Sequence, residues 1–226
     1  MQYQVLYRPS FAVARVELEA DETLRAEPGA MVSMSAHLKL ESKMEGGLLS
    51  ALGRSMLGGE SMFQSTYTAV GKAGEILLAP SAPGDVMAVQ LQNQTFIVQG
   101  GSYLAGSTTL VMDTKFGGVK SFFSGEGAFM LRIQGTGLLL LSSFGAIHKV
   151  VLAEGEEYIV DTGHIVAFES SVSFELQKAA KGFFASVTSG EGVVCRYRGP
   201  GEIYIQTRNL SAFVAAISPL MPKTGA

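Results

Sequence analysis

The stretch VARVELEADETLRAEPG, residues 13–29, decides the fold because its plan returns twice along the chain. The counterparts are VMAVQLQNQTFIVQGG at 86–101 and HKVVLAEGEEYIVDTG at 148–163. Each begins with a short strand that closes on Val-x-Leu, and each then alternates apolar and polar residues up to a glycine. Such alternation is typical of β-strands. The three stretches therefore predict three copies of one strand-rich unit.

Further landmarks follow in the same order in each copy. An aliphatic residue stands three positions after the glycine, at Val32, Leu104 and Val166. A Gly-Glu pair comes later, and its glycines are spaced by 66 and 65 residues. The last strand of each copy follows a glycine-rich turn, in GKAGEILLA (71–79), GTGLLLLS (135–142) and GPGEIYIQ (199–206). Shared order and spacing indicate an internal triplication.

We predict one all-β domain, residues 1–226, with three similar β-repeats in a pseudo-threefold arrangement and a short C-terminal helix. A unit of about 65 residues buries its apolar face poorly when alone, so three units are expected to share a core. The predicted repeats cover approximately residues 10–80, 83–143 and 144–208, and residues 209–226 form a helical tail.

The tail reads LSAFVAAIS after Asn209, which is a typical helix-capping residue. Apolar residues recur there at helical spacing. We expect a terminal helix that covers a sheet edge or a barrel end. A helix that contacts a membrane or a partner is the alternative.

Composition excludes several classes of partner. The formal net charge is −3 and tryptophan is absent, so no nucleic-acid partner is predicted. A single cysteine, Cys195, rules out an internal disulfide and fits a reducing compartment. The longest plainly apolar stretches, 138–141 and 212–217, are far shorter than the roughly 20 residues that span a bilayer. No signal peptide is visible, and a cytoplasmic protein is expected.

Two segments carry a resemblance to a known family. GGLLSALGRSMLGGESMF (46–63) and GEIYIQTRNLSAF (201–213) resemble a bacterial conserved-hypothetical family related to the altered-inheritance-of-mitochondria proteins. The resemblance implies a β-fold like that of the tryptophan RNA-binding attenuation protein, of the double-stranded β-helix type, triplicated in one chain. It also implies no established enzymatic activity. Mitochondrial relatives are associated with the inner membrane, so the resemblance implies a peripheral position at that membrane as the alternative location.

Residues capable of catalysis are few and scattered. The histidines His37, His148 and His164 occupy different positions in their repeats, so the repeat does not gather them. The segment Asp161–His164, which reads DTGH, is interpreted as a turn. Without a His-x-His pair or a second cysteine, we predict no metal built on His or Cys, no cofactor and no enzymatic activity.

Cys195 lies in the alternating strand VVCRY, where a cysteine is usually a small buried apolar group. The glutamates of the Gly-Glu pairs recur at one place in all three repeats, as Glu60, Glu126 and Glu191. They are interpreted as structural, with a threefold carboxylate cluster as the alternative.

Apolar loops are the candidate interaction site. In each repeat a glycine is followed by apolar residues and then by the Gly-Glu pair, and the first loop is the longest. The candidate contacts are Leu48, Leu49, Leu52, Met56, Leu57, Phe122, Phe123, Phe183 and Phe184. Pseudo-threefold symmetry predicts that the three loops gather at one end of the molecule.

Three functions remain open for such an end. The leucines could plug the β-structure, join sister subunits or touch a lipid surface, since seven basic and four acidic residues flank the loops in windows 38–58, 112–124 and 174–189. Self-association into a homo-oligomeric scaffold is the preferred prediction. A peripheral membrane protein and a small-molecule-binding barrel are the alternatives.

Overall fold

A computed structural model describes residues 1–44, 63–113, 130–178 and 193–221 of the chain. Strands account for most of it. In the first third they are β1 (Gln2–Leu6), β2 (Val13–Leu18), β3 (Thr23–Ala26), β4 (Met31–Met34), β5 (Leu38–Met44), β6 (Phe63–Ala69) and β7 (Gly74–Leu78). In the middle third they are β8 (Val86–Gln99), β9 (Tyr103–Ser107), β10 (Val111–Asp113) and β11 (Met130–Ser142).

The last third adds six strands and the C-terminal helix. These are β12 (Ile147–Leu152), β13 (Glu157–Asp161), β14 (Ile165–Glu169), β15 (Ser173–Lys178), β16 (Val193–Arg198), β17 (Gly201–Gln206) and α1 (Leu210–Ile217). Short 3-10 turns occupy Gly100–Ser102, Thr162–His164 and Ser218–Leu220. The predicted all-β class with a short C-terminal helix is confirmed.

The same strand pairings recur in each third. In the first third, β7 lies between β2 and β4, and β6 lies between β3 and β5. In the last third, β17 lies between β12 and β14, and β16 lies between β13 and β15. In the middle third the long strands β8 and β11 pair along their whole length, and β9 and β10 both pair with β11. The triplication and the repeat boundaries stay predictions, and this recurrence supports them.

Alternation along the strands sets which side chains face inward. In β2 the side chains of Ala14, Val16 and Leu18 are buried, while the residues between them are more exposed. This is the period of two that a half-buried strand requires. Burial of each large apolar side chain contributes about 1.5–3 kcal/mol, so the inward rows hold the sheets together.

Two antiparallel junctions join the thirds of the chain. At the first junction β9 pairs with β3, with Ala105 opposite Ala26. At the second junction β14 pairs with the second half of β8, with Phe168 opposite Ile97. Hydrogen-bonded backbone therefore runs from one third into the next, and the thirds share sheets.

The buried cores follow these junctions. One cluster combines Leu24 of β3 with Leu104 of β9, and a second combines Phe96 of β8 with Val166 of β14. A third cluster contains Phe168, Tyr197 and Cys195, among others. The first cluster combines residues of the first and middle thirds, and the second combines residues of the middle and last thirds. No single third could therefore bury these residues alone.

The N-terminal strand is tied to the middle of the chain. β1 pairs with β2, and the guanidinium of Arg8 donates two hydrogen bonds to the buried carboxylate of Asp85, at 2.7 and 2.8 Å. The hydrogen bond to Asp85 raises the pKa of Arg8. Such a bidentate pair compensates the burial of the Asp85 carboxylate.

Candidate functional site

Three hairpins carry the predicted interaction loops. The last described pairs at the loop ends are Met44 with Phe63, Asp113 with Arg132, and Lys178 with Val193. All the loop residues predicted as contacts, Leu48, Leu49, Leu52, Met56, Leu57, Phe122, Phe123, Phe183 and Phe184, lie outside the described residues. The repeated glutamates Glu60, Glu126 and Glu191 lie there too.

The described ends of neighbouring hairpins come together. On the first hairpin, the side-chain N–H of Gln64 lies 3.5 Å from the sulfur of Met112 on the second hairpin. On the second hairpin, Met130 belongs to the buried cluster against which Phe174 and Leu176 of the third hairpin pack. The first hairpin therefore contacts the second through Gln64 and Met112, and the second and third hairpins contribute to one buried cluster, close to the points at which the described strands end.

The histidines do not meet. His37 precedes β5, where its Nε2 lies 3.0 Å from the carbonyl oxygen of Ala73. His148 is a residue of β12. The Nδ1 of His164 lies 2.7 Å from the carbonyl oxygen of Gln206. Two of the three rings thus contact main-chain oxygens, which is an anchoring role.

The segment Asp161–His164 is a turn, as predicted. Residues Thr162–His164 form a 3-10 turn, and the carboxylate of Asp161 accepts a hydrogen bond from the backbone N–H of Gly163 at 2.8 Å. The Gln206 side chain donates to the carbonyl oxygen of Gly163 at 3.0 Å. The polar groups of this segment serve its own backbone, so no reaction is assigned to it.

Cys195 is fully buried in the third cluster, as its strand position predicted. Burial raises the pKa of its thiol to about 11, although a hydrogen bond with Tyr197 opposes that rise. The pKa of Tyr197 is also raised well above its usual range by burial. A thiol that stays protonated and shielded is a packing group and a poor nucleophile.

We expect Cys195 to resist alkylation in the folded protein. At pH 8 a thiol with a pKa of about 11 is about a hundredfold less ionised than an ordinary thiol. The measurement is the rate of iodoacetamide labelling by mass spectrometry, in buffer and in denaturant. Labelling in buffer should be slower by more than about a hundredfold. Equal rates would show that the thiol is accessible and the described burial is wrong.

A polar cluster spans β12 and β17. The Lys149 ammonium donates to the carboxylate of Glu202 at 2.8 Å, and the Tyr204 hydroxyl donates to the same carboxylate. The hydrogen bond from Lys149, followed by that from Tyr204, lowers the pKa of Glu202, while burial raises the pKa of Tyr204. Lys149 and Tyr204 are directly opposite in the strand register, so the cluster is a cross-strand contact.

Metal ligands do not gather in the part of the chain that the structure describes: no group of three or more His, Cys, Asp or Glu residues is placed to hold an ion there.

The C-terminal helix forms as predicted but leaves its apolar residues uncovered. Asn209 caps it, since its side-chain oxygen accepts from the N–H of Ala212 at 3.1 Å. Phe213 packs on Phe144 with the ring centroids 5.4 Å apart, yet Phe213 and Val214 remain about half exposed. The expected covering of a sheet edge is therefore slight, because no residue of the helix is buried. None of the described helices has the length and apolar character to cross a bilayer.

The fold and the site define a class of protein: an all-β chain of antiparallel sheets in which the described ends of consecutive hairpins lie close together. The model of the family described as Mitochondrial biogenesis AIM24 matches residues 3–208. The chain belongs to this family, which confirms the resemblance in the two sequence signatures.

Two proteins of Streptococcus pyogenes are similar over almost the full chain. An uncharacterized protein of serotype M6 is 33% identical over 231 residues, which cover 98% of this chain and 92% of the relative. A crystal structure of a protein from the same species is 31% identical with a TM-score of 0.82, and the match covers 97% of this chain and 99% of that one. The family is one of unknown function, and the relative is described as uncharacterized.

Proposed function

We propose that this protein is a non-enzymatic scaffold or interaction protein of the cytoplasm that self-associates through its three apolar loops. The observation that supports the proposal is the proximity of the described ends of successive hairpins. Gln64 meets Met112, and Met130 shares a cluster with the residues on which the third hairpin packs. Neighbouring hairpin ends support the expectation that the loops form one surface.

The amino-acid composition of the three loops indicates which partner that surface would bind. The first loop holds Leu48, Leu49 and Leu52 within five residues, and the other two hold the phenylalanine pairs 122–123 and 183–184. A contiguous apolar patch of this kind is uncommon on a monomer and is typical of a protein interface. Aromatic side chains in particular contribute much of the binding energy at interfaces. A second copy of the chain would cover one such patch with another.

The test is the solution mass of the wild type and of the triple variant L48S/L49S/L52S. We expect the wild type to form an assembly of higher mass than the variant does at the same concentration. The loop contact should weaken by about a hundredfold or more, because each of the three leucines removed costs roughly 1 kcal/mol or more. Light scattering coupled to size exclusion measures both. Equal masses for the two proteins would overturn the proposal.

A matched control carries three apolar-to-serine changes away from the loops. Val70, Val151 and Leu210 are all about half exposed or more. The variant V70S/V151S/L210S should therefore keep the wild-type mass. Loss of assembly in this control would mean that general surface polarity, and not the loops, governs self-association.

Vesicles separate self-association from lipid contact. The flanks of the loops carry seven basic and four acidic residues, so anionic vesicles are the appropriate probe. Self-association predicts that neither the wild type nor the triple variant sediments with them at low salt. Sedimentation of a monomeric wild type that the triple variant loses would replace the scaffold by a peripheral membrane protein.

A further inference from the structure

The two internal junctions show how one third of this chain recognises the next. At the first, β9 pairs with β3, and the N–H of Glu27 donates to the carbonyl oxygen of Leu104 at 2.8 Å. At the second, β14 pairs with β8, and the N–H of Ser170 donates to the carbonyl oxygen of Thr95 at 3.0 Å. Each junction thus has an entering strand, β9 or β14, and a receiving strand, β3 or the second half of β8.

Among the described strands, none pairs with the entering strand of the first third on its outer side. β4 pairs with β7 as β9 pairs with β11 and β14 with β17, and each pairing has a register shift at the same place, at Val32, Leu104 and Val166 respectively. Leu104 and Val166 are fully buried, whereas Val32 is 55% exposed. In the described part of the chain, β4 is the outermost strand of its sheet.

The receiving strand of the last third likewise has no entering strand beside it in the part of the chain that the structure describes. β13 pairs with β16 as β3 pairs with β6, with Tyr158 opposite Tyr197 where Leu24 is opposite Tyr67. Leu24 is fully buried, but Tyr158 is 38% exposed. Among the described strands, β13 is the outermost one of its sheet.

The next position of β13 shows the same contrast. Ile159 is 53% exposed, while Ile97, which occupies the corresponding position at the second junction, is buried against Phe168 of the entering strand. Val160 belongs to the third core cluster, and that cluster contains no residue of β4. The chain therefore ends in two half-junctions of opposite kind.

We propose that β4 of one copy of this protein pairs antiparallel with β13 of a second copy, which forms a third junction of the same design. Carrying over the register of the internal junctions places Ser33 opposite Val160, Met34 opposite Ile159 and Ser35 opposite Tyr158. The partner is a second copy because every chain carries both β4 and β13. The equivalent strands already pair twice within the chain, as β9 with β3 and as β14 with β8.

This contact is head-to-tail. Because β4 and β13 are different surfaces, each copy keeps one free half-junction until the assembly closes. Repetition of the contact gives a closed ring or an open filament. The inference goes beyond the proposed function, since it rests on described strand edges and needs none of the apolar loops.

The experiment places a lysine on each of the two edge strands, β4 and β13, to prevent their pairing. Lysine on an edge strand opposes pairing, and Val32 and Ile159 are exposed enough that V32K and I159K should fold. Both substitutions are made separately in L48S/L49S/L52S, which lacks the loop contacts. We expect that parent to run above the monomer mass and each variant alone to run as a monomer, at concentrations up to about tenfold above those at which the parent assembles. Circular dichroism and thermal unfolding confirm that both variants are folded.

An equimolar mixture of V32K and I159K gives the decisive result. V32K keeps an intact β13 and I159K keeps an intact β4, so the mixture should form a one-to-one dimer and stop there. Light scattering reports the mass, and native mass spectrometry with one variant isotopically labelled reports the composition. A mixture that stays monomeric, or a wild type that is monomeric throughout, overturns the proposal.

Two further variants distinguish the head-to-tail contact from association through the loops. V151K places lysine on β12, at a residue that is 61% exposed, and should assemble like the wild type. L48S/L49S/L52S keeps both edges and should still form the head-to-tail contact. If V32K and I159K with intact loops assemble like the wild type and the loop variant is a monomer, the edge proposal fails and the loop proposal stands. A loop variant that keeps the wild-type mass rejects the loop proposal alone.

Discussion

The substitution Phe168→Ala is expected to lower the free energy of unfolding by about 4 kcal/mol. Phe168 is almost fully buried on β14, with the rings of Phe174 and Tyr197 each 5.0 Å away in edge-to-face arrangements. Its backbone lies opposite Ile97 at the second junction. Truncation therefore leaves a cavity where three aromatic rings and a junction between two thirds of the chain meet.

Urea unfolding at a fixed protein concentration measures the loss. Phe11→Ala is the matched control, because it removes the same side chain from a site that is 73% exposed. The control should change the free energy of unfolding by about 0.5 kcal/mol or less. A loss below about 1 kcal/mol for Phe168→Ala would mean that the aromatic cluster is not packed as described.

The sequence could predict the plan of the fold because the plan is local. Strand alternation and glycine turns act over a few residues, and their threefold recurrence in the sequence matches the recurring pairings. The predicted equivalence of Val32, Leu104 and Val166 is an example, since all three sit at a register shift of the entering strand.

Exposure could not be predicted from the same landmarks. Val32 and Val166 are the same amino acid at equivalent places, yet Val166 is buried and Val32 is half exposed. Burial depends on whether another third of a chain lies opposite, and that is a property of the assembly rather than of the local pattern.

The sequence patterns also do not predict that the middle third has two long continuous strands, β8 and β11, in place of pairs of short ones. Thr136 keeps β11 continuous between Gly135 and Gly137, although the register shifts there. The last third has Pro200 at the corresponding turn, and β16 and β17 are separate strands. Proline has no N–H to donate to a ladder, which favours the break between β16 and β17.

The second large effect is expected at Gly84, where the first and middle thirds approach the last. Gly84 and Gly145 form a parallel bridge between segments far apart in sequence. A Cβ added to Gly84 would overlap the carbonyl oxygen of Ser143 and lie 2.9 Å from the nitrogen of Gly145. Those atoms are backbone, so no side-chain rotation relieves the overlap. Gly84→Ala should therefore cost about 3 kcal/mol or more in the free energy of unfolding.

Gly101→Ala provides the comparison for this steric argument. Its added Cβ would lie 3.3 Å from the side-chain oxygen of Gln99, which can move aside. The control should therefore lose about 1 kcal/mol or less. The bridge at Gly84 lies beside Asp85, whose N–H donates to the carbonyl oxygen of Gly145 at 2.9 Å and whose carboxylate holds Arg8. Displacing Gly84 should loosen that network too, so equal losses for Gly84→Ala and Gly101→Ala would contradict the close approach of the two backbones.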